Sequence, residues 1–262
     1  MNILLGADPE VFYKKDGSLV SAHGLVKGTK ETPYPVCNGA VQVDGMALEF
    51  NIDPASTSDE WVFNLESVMA QLSDMVEGSI DISPVAEFGY EYINKQPEEA
   101  RVLGCEPDYN AWTGGVNPAP DMDTDFRTGA GHIHIGFTED CVETSDNHME
   151  LCERIVKQLD ARLGLMSLIL DPCTKRRELY GKAGAYRPKT YGLEYRVLSN
   201  FWLKSGEMMH WVYSTVHEAL EDTRSGILWE DKYPDIAEII NRSDVESATS
   251  IIKQEGWRFP NV

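Results

Sequence analysis

Apolar and polar positions alternate with a period of two at four places along the chain, each time with ionisable groups on the polar side. Asp8 and Glu10 lie two apart ahead of Val11. Glu49 and Asn51 alternate with Leu48, Phe50 and Ile52, His132 and His134 with Ile133 and Ile135, and Glu194 and Arg196 with Leu193, Tyr195 and Val197. In a strand, residues two apart share a face. The pattern therefore predicts an α+β fold, a sheet covered by helices on its apolar face and lined with candidate ligands on the other.

The remaining elements follow from other periods. A strand is expected over 3–13, with Pro9 marking an edge or bulge because it donates no ladder hydrogen bond. The Lys15-Asp-Gly17 turn then leads into a short strand to Val20. Residues 22–40, rich in Gly, Pro, Thr and Lys, read as an ordered loop over the site, and 41–52 as one strand. A helical stripe from Trp61 to Val76 opens with Ser58 as its cap. Residues 86–93 look strand-like, and the rest of 84–126 has too poor a pattern for regular structure. This stretch is expected to close over a substrate, and its loop from Cys105 to Asp125 to decide the substrate's identity. Asp146 opens a long helix to Leu170, stopped by Asp171-Pro172. Ser205 opens another over 207–220, and Ser243-Asp-Val-Glu246 forms a capping box. No repeat or linker interrupts the chain, so 1–262 reads as a single domain.

Charge and cysteines narrow the function. The formal charge of −20 disfavours non-specific nucleic-acid binding and anionic membranes. No apolar run is long enough for a membrane span. Cys37, Cys105, Cys141, Cys152 and Cys173 are odd in number and lack a C-x-x-C spacing, which suggests reduced thiols. With no signal-peptide pattern at the start, a cytoplasmic location is expected, the host cytoplasm if the chain is phage-encoded.

The chemistry-bearing residues are mostly hard oxygen donors. Asp8, Glu10, Glu49 and Glu194 suit Mg²⁺, and a histidine among them also admits Mn²⁺. Seven of the chain's 23 Lys and Arg fall between 175 and 196, among them Lys182, Arg187 and Arg196. Gly181, Gly184 and Gly192 in the same stretch allow close backbone approach to a phosphate. Carboxylates, arginines and a glycine-bearing basic segment together suggest a nucleoside triphosphate site, although no P-loop sequence is present.

These motifs, in order Asp-Pro-Glu-Val-Phe, Leu-Glu-Phe-Asn, Arg-Thr-Gly-Ala-Gly-His-Ile-His-Ile-Gly, Tyr-Gly-Lys-Ala-Gly-Ala-Tyr-Arg and Glu-x-Arg, resemble the carboxylate-amine ligase superfamily of glutamine synthetase and γ-glutamylcysteine ligase. The closer resemblance is to compact phage amidoligases. It implies a curved, mostly antiparallel sheet like the glutamine synthetase catalytic domain, with helices on one face and a metal and nucleotide site on the other, and an ATP-dependent ligase acting through an acyl phosphate on small-molecule or peptide carboxylate and amine substrates. By motif, Asp8, His132 and Glu194 would bind one metal, and Glu10 with Glu49 the other. His134 and Arg187, with Lys182, would contact nucleotide phosphates, and Arg196 the phosphoryl in flight. Arg196, Arg187 and Glu49 are the candidate catalytic groups, with Asn51 and Asp44 as substrate or supporting groups. The first acid is Asp8 where glutamine synthetase has Glu, and that enzyme's amino-terminal domain and ammonia-site loop are not recognisable. Other readings are a guanidino-type kinase on the same fold, a cupin-like single-metal enzyme using His132, His134 and Glu139, and an inactive phage binding protein.

Overall fold

The computed structural model of the protein describes residues 3–101, 108–118, 123–139 and 141–260. Helices pack on antiparallel sheets in a mixed α+β arrangement, but the four polar strands divide between two sheets instead of sharing one. The expected strand over 3–13 breaks at Asp8-Pro9. Leu4–Ala7 enters one sheet and Glu10–Lys15 the other. Pro9 has no amide hydrogen for a ladder, and it stands where the chain changes sheets.

The first, which we call the histidine sheet, runs Leu4–Ala7, Ile133–Gly136, Gly192–Tyr195, Ala185–Lys189, Tyr109–Asn110 and Gly115–Val116. The second, the glutamate sheet, runs Ser18–Val20, Glu10–Lys15, Ala47–Ile52, Gly39–Asp44 and Tyr34–Val36, with Ser79–Asp81 also paired to Glu10–Lys15. Neither order closes into a barrel, which removes the cupin reading. Exposed Glu139 lies outside both acidic clusters.

Several boundaries shift. The expected strand over 41–52 is a hairpin turning at Gly45, whose φ is +57°. Asp-Gly is a strong hairpin signal that the continuous alternation obscured. The expected loop over 22–40 contains the Tyr34–Val36 strand. Of the strand-like 86–93 stretch only Ala86 and Glu87 lie in a strand, Val85–Glu87, which pairs with Phe126–Thr128 before the Tyr90–Asn94 helix begins. Three helix caps lie one residue from their expected places. Thr57 caps Ser58–Asp74, accepting from the Glu60 amide. Ser145 precedes Asp146–Leu159, and Asp244 caps Val245–Glu255. Ser205 caps Gly206–Arg224 as expected, accepting from the Met208 amide.

The apolar side of each alternation is what fixes the facing of the polar side. Ile133, Ile135, Leu193 and Tyr195 are fully buried in the histidine sheet, as are Leu48 and Phe50 in the glutamate sheet. Helix Asp146–Leu159 covers the former and Ser58–Asp74 the latter, while Gly206–Arg224 packs against both helices. Each buried aliphatic side chain contributes about 1.5–3 kcal/mol. A one-residue slip would exchange these groups for histidines and carboxylates, so the register is strongly held.

The expected helix over 146–170 is continuous, but Asp160–Gly164 forms a π turn within it. Its first residue is fully buried and ties distant segments together: Asp160 accepts from Trp112 Nε1 at 2.6 Å, the Gly184 amide at 2.6 Å and Tyr195 OH at 2.8 Å. Among the described residues, no helix is long and apolar enough to cross a membrane. Cys37, Cys152 and Cys173 are free thiols.

Candidate active site

The candidate groups are placed by two rows of strand partners. In the histidine sheet, Gly6 pairs with His134, His134 with Glu194, and Glu194 with Arg187. In the glutamate sheet, Glu10 pairs with Glu49 and Glu49 with Gln42. Asp8, in the crossing between the sheets, meets the first row: its Oδ1 lies 3.1 Å from His134 Nε2 and 3.5 Å from His132 Nδ1. Glu10 is tied to the histidine strand's approach, because its backbone amide donates to the Ala130 carbonyl and its carboxylate accepts from the Ala130 amide.

That approach explains the glycines of Arg127-Thr-Gly-Ala-Gly-His. A Cβ on Gly129 would fall 2.6 Å from Asn200 Nδ2, and one on Gly131 2.2 Å from the Ser199 carbonyl. Asn200 in turn donates to the Glu10 carbonyl at 2.8 Å. The motif's glycines therefore let the 198–202 segment press against the strand entry and hold Glu10 in place.

Two ligand triads result. Asp8, His132 and Glu194 form one and Glu10, Asp44 and Glu49 the other, with ligand atoms within 4.8 Å of one another in each set. Asp44 reaches the second triad from the Asp44-Gly45 turn. Both donor sets, carboxylates with at most one imidazole, fit a hard divalent cation.

Cations crowd the first triad. Glu194, only 1% exposed, lies 3.2 Å from Lys189, 3.8 Å from Arg187 and in direct contact with Arg196. Asp108 pairs with Arg196 at 2.7 Å and with Arg187 at 3.4 Å. Burial and nearby Asp8 push Glu194 upward, but Arg196, His132 and His134 outweigh them and hold it at about 2. Asp8 follows the same balance: burial raises it, and the two histidines bring it well below the usual carboxylate range. Burial and Arg196 lower His132, whereas Asp8 overcomes burial and raises His134.

The second triad has the opposite character. Burial and the charge of Asp44 push Glu10 up to about 7. Glu49 is raised well above its ordinary value by burial, then by Asp8, Glu10 and Asp44. Among the described residues no cation lies at ion-pair distance from these carboxylates, and Glu10 and Glu49 are held above the ordinary carboxylate range. A divalent cation would reverse that.

The triads open onto two cavities. The smaller, about 100 Å³, is lined by Asp8, Glu10, Asp44, Glu49, His132 and Arg196 together with Arg127 and Arg176. The larger, about 600 Å³, is lined by His134, Glu194, Lys189 and Asn51, with Leu4, Ile52, Pro33, Pro54 and Tyr191 as its less polar side. Asp8, Lys30, Glu49 and Arg187 line both.

Lys182 is the expected site residue that the structure does not bring in: it is exposed and lines neither cavity. The glycines around it serve packing. Gly181 makes room for Arg176, Gly184 for Trp112 and Gly192 for the Ile135 carbonyl. The amides of Ala183 and Gly184 already donate to Asn241 and Asp160. Of the expected substrate loop, 105–107 and 119–122 lie outside the described residues. Its described part contributes Asp108. The pattern also gave no sign of Lys30, Arg127, Arg176 or Tyr191, which stand on non-periodic segments or beside better-marked neighbours. For Arg127 and Arg176, their places in the glycine-histidine motif and the basic segment were the available signals.

The sequence profile of the phage phiEco32-like COOH.NH2 ligase-type 2 family matches residues 107–239, just over half of the chain. The match includes Asp108, His132, His134, Arg187, Glu194 and Arg196, and stops short of the glutamate sheet. No curated protein matches the chain.

Proposed function

The chain belongs to the phage phiEco32-like COOH.NH2 ligase-type 2 family, a family of carboxylate-amine ligases, and we propose that it joins its two substrates at the expense of ATP through an acyl phosphate. The observation that carries this reading is the meeting of two carboxylate triads from separate sheets beside Arg187, Arg196 and Lys189. Such a set suits a polyphosphate neutralised by metal and arginine. A carboxylate in water is a poor acyl donor, and phosphorylation gives it a leaving group.

In this reading the larger cavity takes the nucleotide. Its volume is of ligand size, and it combines an apolar side with His134, Arg187 and Lys189 for phosphates. Divalent cations held by the two triads would supply charge neutralisation of the phosphates. Arg196, clamped by Glu194 and Asp108, would face the γ-phosphoryl group as its bond to the bridging oxygen breaks, ADP leaves and a bond to a substrate carboxylate oxygen forms. The amine nitrogen then bonds to the acyl carbon, the carbon–oxygen bond to phosphate breaks, and the amine loses a proton. A likeness of this arrangement to the glutamine synthetase catalytic domain is part of the same proposal.

The test is protection and trapping. ADP with Mg²⁺ should raise the unfolding temperature of the purified protein, and neither alone should do as much. With ATP, a carboxylate substrate and hydroxylamine as amine, ADP, phosphate and a hydroxamate should form together. A phosphorylated nitrogen product without free phosphate would favour the guanidino-type kinase. Failure of ADP and Mg²⁺ to protect would remove the nucleotide reading.

A further inference from the structure

A buried carboxylate lies on the helix-covered side of the histidine sheet. Asp160, in the π turn of the long helix, accepts from Trp112 Nε1 and the Gly184 amide, both at 2.6 Å, and from Tyr195 OH at 2.8 Å. Each donor adjoins a group of the candidate site. Tyr195 stands between Glu194 and Arg196 in the chain, and Gly184 precedes the Ala185–Lys189 strand that bears Arg187 and Lys189. Trp112 is in the turn of the hairpin formed by Tyr109–Asn110 and Gly115–Val116, which starts beside Asp108.

That hairpin joins the edge of the sheet through two register pairs, Asn110 with Ala185 and Tyr109 with Tyr186. The Ala111 amide adds a bond to the Gly184 carbonyl at 2.9 Å. So short an edge strand holds its place weakly by itself. Asp108 at its start is nevertheless the carboxylate that pairs with Arg196 at 2.7 Å and with Arg187 at 3.4 Å. Room for the Trp112 ring is built in, because a Cβ on Gly184, at φ +79°, would fall 2.7 Å from Trp112 Cδ1. The three donors to Asp160 are neutral groups, and burial pushes its carboxyl up to about 7 from 3.8. A buried acid with such partners costs stability, but its bonds fix the relative places of the segments that donate them.

We propose that Asp160 is a positioning residue for the ligase reaction: by holding Trp112, Gly184 and Tyr195 at fixed separations under the sheet, it keeps Asp108 aligned with Arg196 and Arg187. The inference rests on the ligase reading and extends it to residues that line neither cavity, Asp160 and Trp112. Asp160 acts through the hairpin and Asp108. Loosening the tie turns Arg196 away from the phosphoryl in flight, a loss felt in the transition state and not in nucleotide binding.

The experiment has two arms. In the first, ADP and Mg²⁺ are titrated with and without aluminium fluoride, which mimics the phosphoryl in flight. Trp112→Phe and Asp160→Asn should each weaken binding of the fluoride complex about tenfold and change binding of ADP and Mg²⁺ alone within about twofold. In an Asp108→Asn background, Trp112→Phe should weaken the fluoride complex by no more than about twofold, because both changes act on one alignment. In the second arm, NMR of the nucleotide-free protein follows the Arg196 Nε–H resonance, assigned by its loss in Arg196→Lys, and Trp112→Phe should shift it. Losses that multiply in the double variant, equal weakening with and without fluoride, or an unshifted Arg196 resonance overturns the inference. So does a wild type that binds ADP but gains nothing from fluoride. Should Trp112→Phe not fold, Asp160→Asn is read in both arms. A wild type that binds no ADP sinks the nucleotide reading instead, and the Arg196 resonance then decides by itself whether Asp160 aligns the arginine.

Discussion

The two triads have the same number of candidate ligands, but the glutamate of one is held low and the glutamates of the other are held high. Asp8 and Glu194 belong to a network with Arg196, Arg187, Lys189 and two histidines, and both carboxylates are held below their ordinary range. Glu10 and Glu49 face mainly other carboxylates and are held above it. The histidine-sheet triad is therefore compensated by the protein's own cations, while the glutamate-sheet triad has none at ion-pair distance among the described residues. Ligand count alone does not describe either site. The surrounding charges decide whether the glutamates of a triad are held below or above their ordinary range.

The largest effect should come from breaking the compensated side. Glu194→Ala leaves Arg196, Lys189 and Arg187 around an empty buried position. Removing one partner of such a network typically costs about 3–5 kcal/mol. Urea unfolding should show that loss, and hydroxamate formation should fall at least about a hundredfold. A variant as stable as the wild type would mean that the network is not the brace described above.

Glu49→Gln should separate activity from stability. It removes a carboxylate from a set that repels itself, so in chelator near neutral pH the variant should melt no lower than the wild type. Its activity should nevertheless fall at least about tenfold, because one donor of the second triad is gone. A marked loss of stability in chelator would make the two triads alike and end the contrast.

The same side predicts a pH dependence. Folded Glu10 titrates at about 7 against 4.5 for the ordinary group, so between those values the folded chain keeps a proton that the unfolded chain has lost. Stability from this group is therefore greatest below that window and declines as pH rises through it. Thermal unfolding in chelator should show this decline, and Mg²⁺ should reduce it by favouring the ionised carboxylates. A melting temperature that rises through the same window in chelator would contradict the assignment.

Much of this contrast was legible in the chain, because alternation with period two puts His132 with His134 and Glu49 with Asn51 on one face whatever the sheet. The division into two sheets was not. Asp8-Pro9-Glu10 preserves the alternation in sequence while the backbone changes partners, and the hydrophobic pattern has no term for that. Asp44 was visible as an acid, but its hairpin was hidden inside a longer run of alternating residues. Asp108, which pairs with Arg196 and Arg187 beside the first triad, arrives from a segment without periodicity. Glycines were legible as sites of close approach, but not what approaches: Gly181 admits Arg176, and Gly184 admits Trp112.

The smallest effect expected is also the sharpest check on how the basic segment divides. Lys182 and Lys189 lie seven residues apart in one run of positive charge, and sequence alone favours the former for the nucleotide. Lys189 instead stands 3.2 Å from Glu194 on the wall of the larger cavity, where an incoming phosphate would meet it. Lys182 points its charge into solvent, where water and salt screen it. Titration of ADP in the presence of Mg²⁺ should give about tenfold weaker binding for Lys189→Ala and a change within about twofold for Lys182→Ala. Equal weakening by both would mean that the segment acts as a diffuse field. Weakening by Lys182→Ala alone would move the phosphates out of the larger cavity, and with them the role proposed for the histidine-sheet triad.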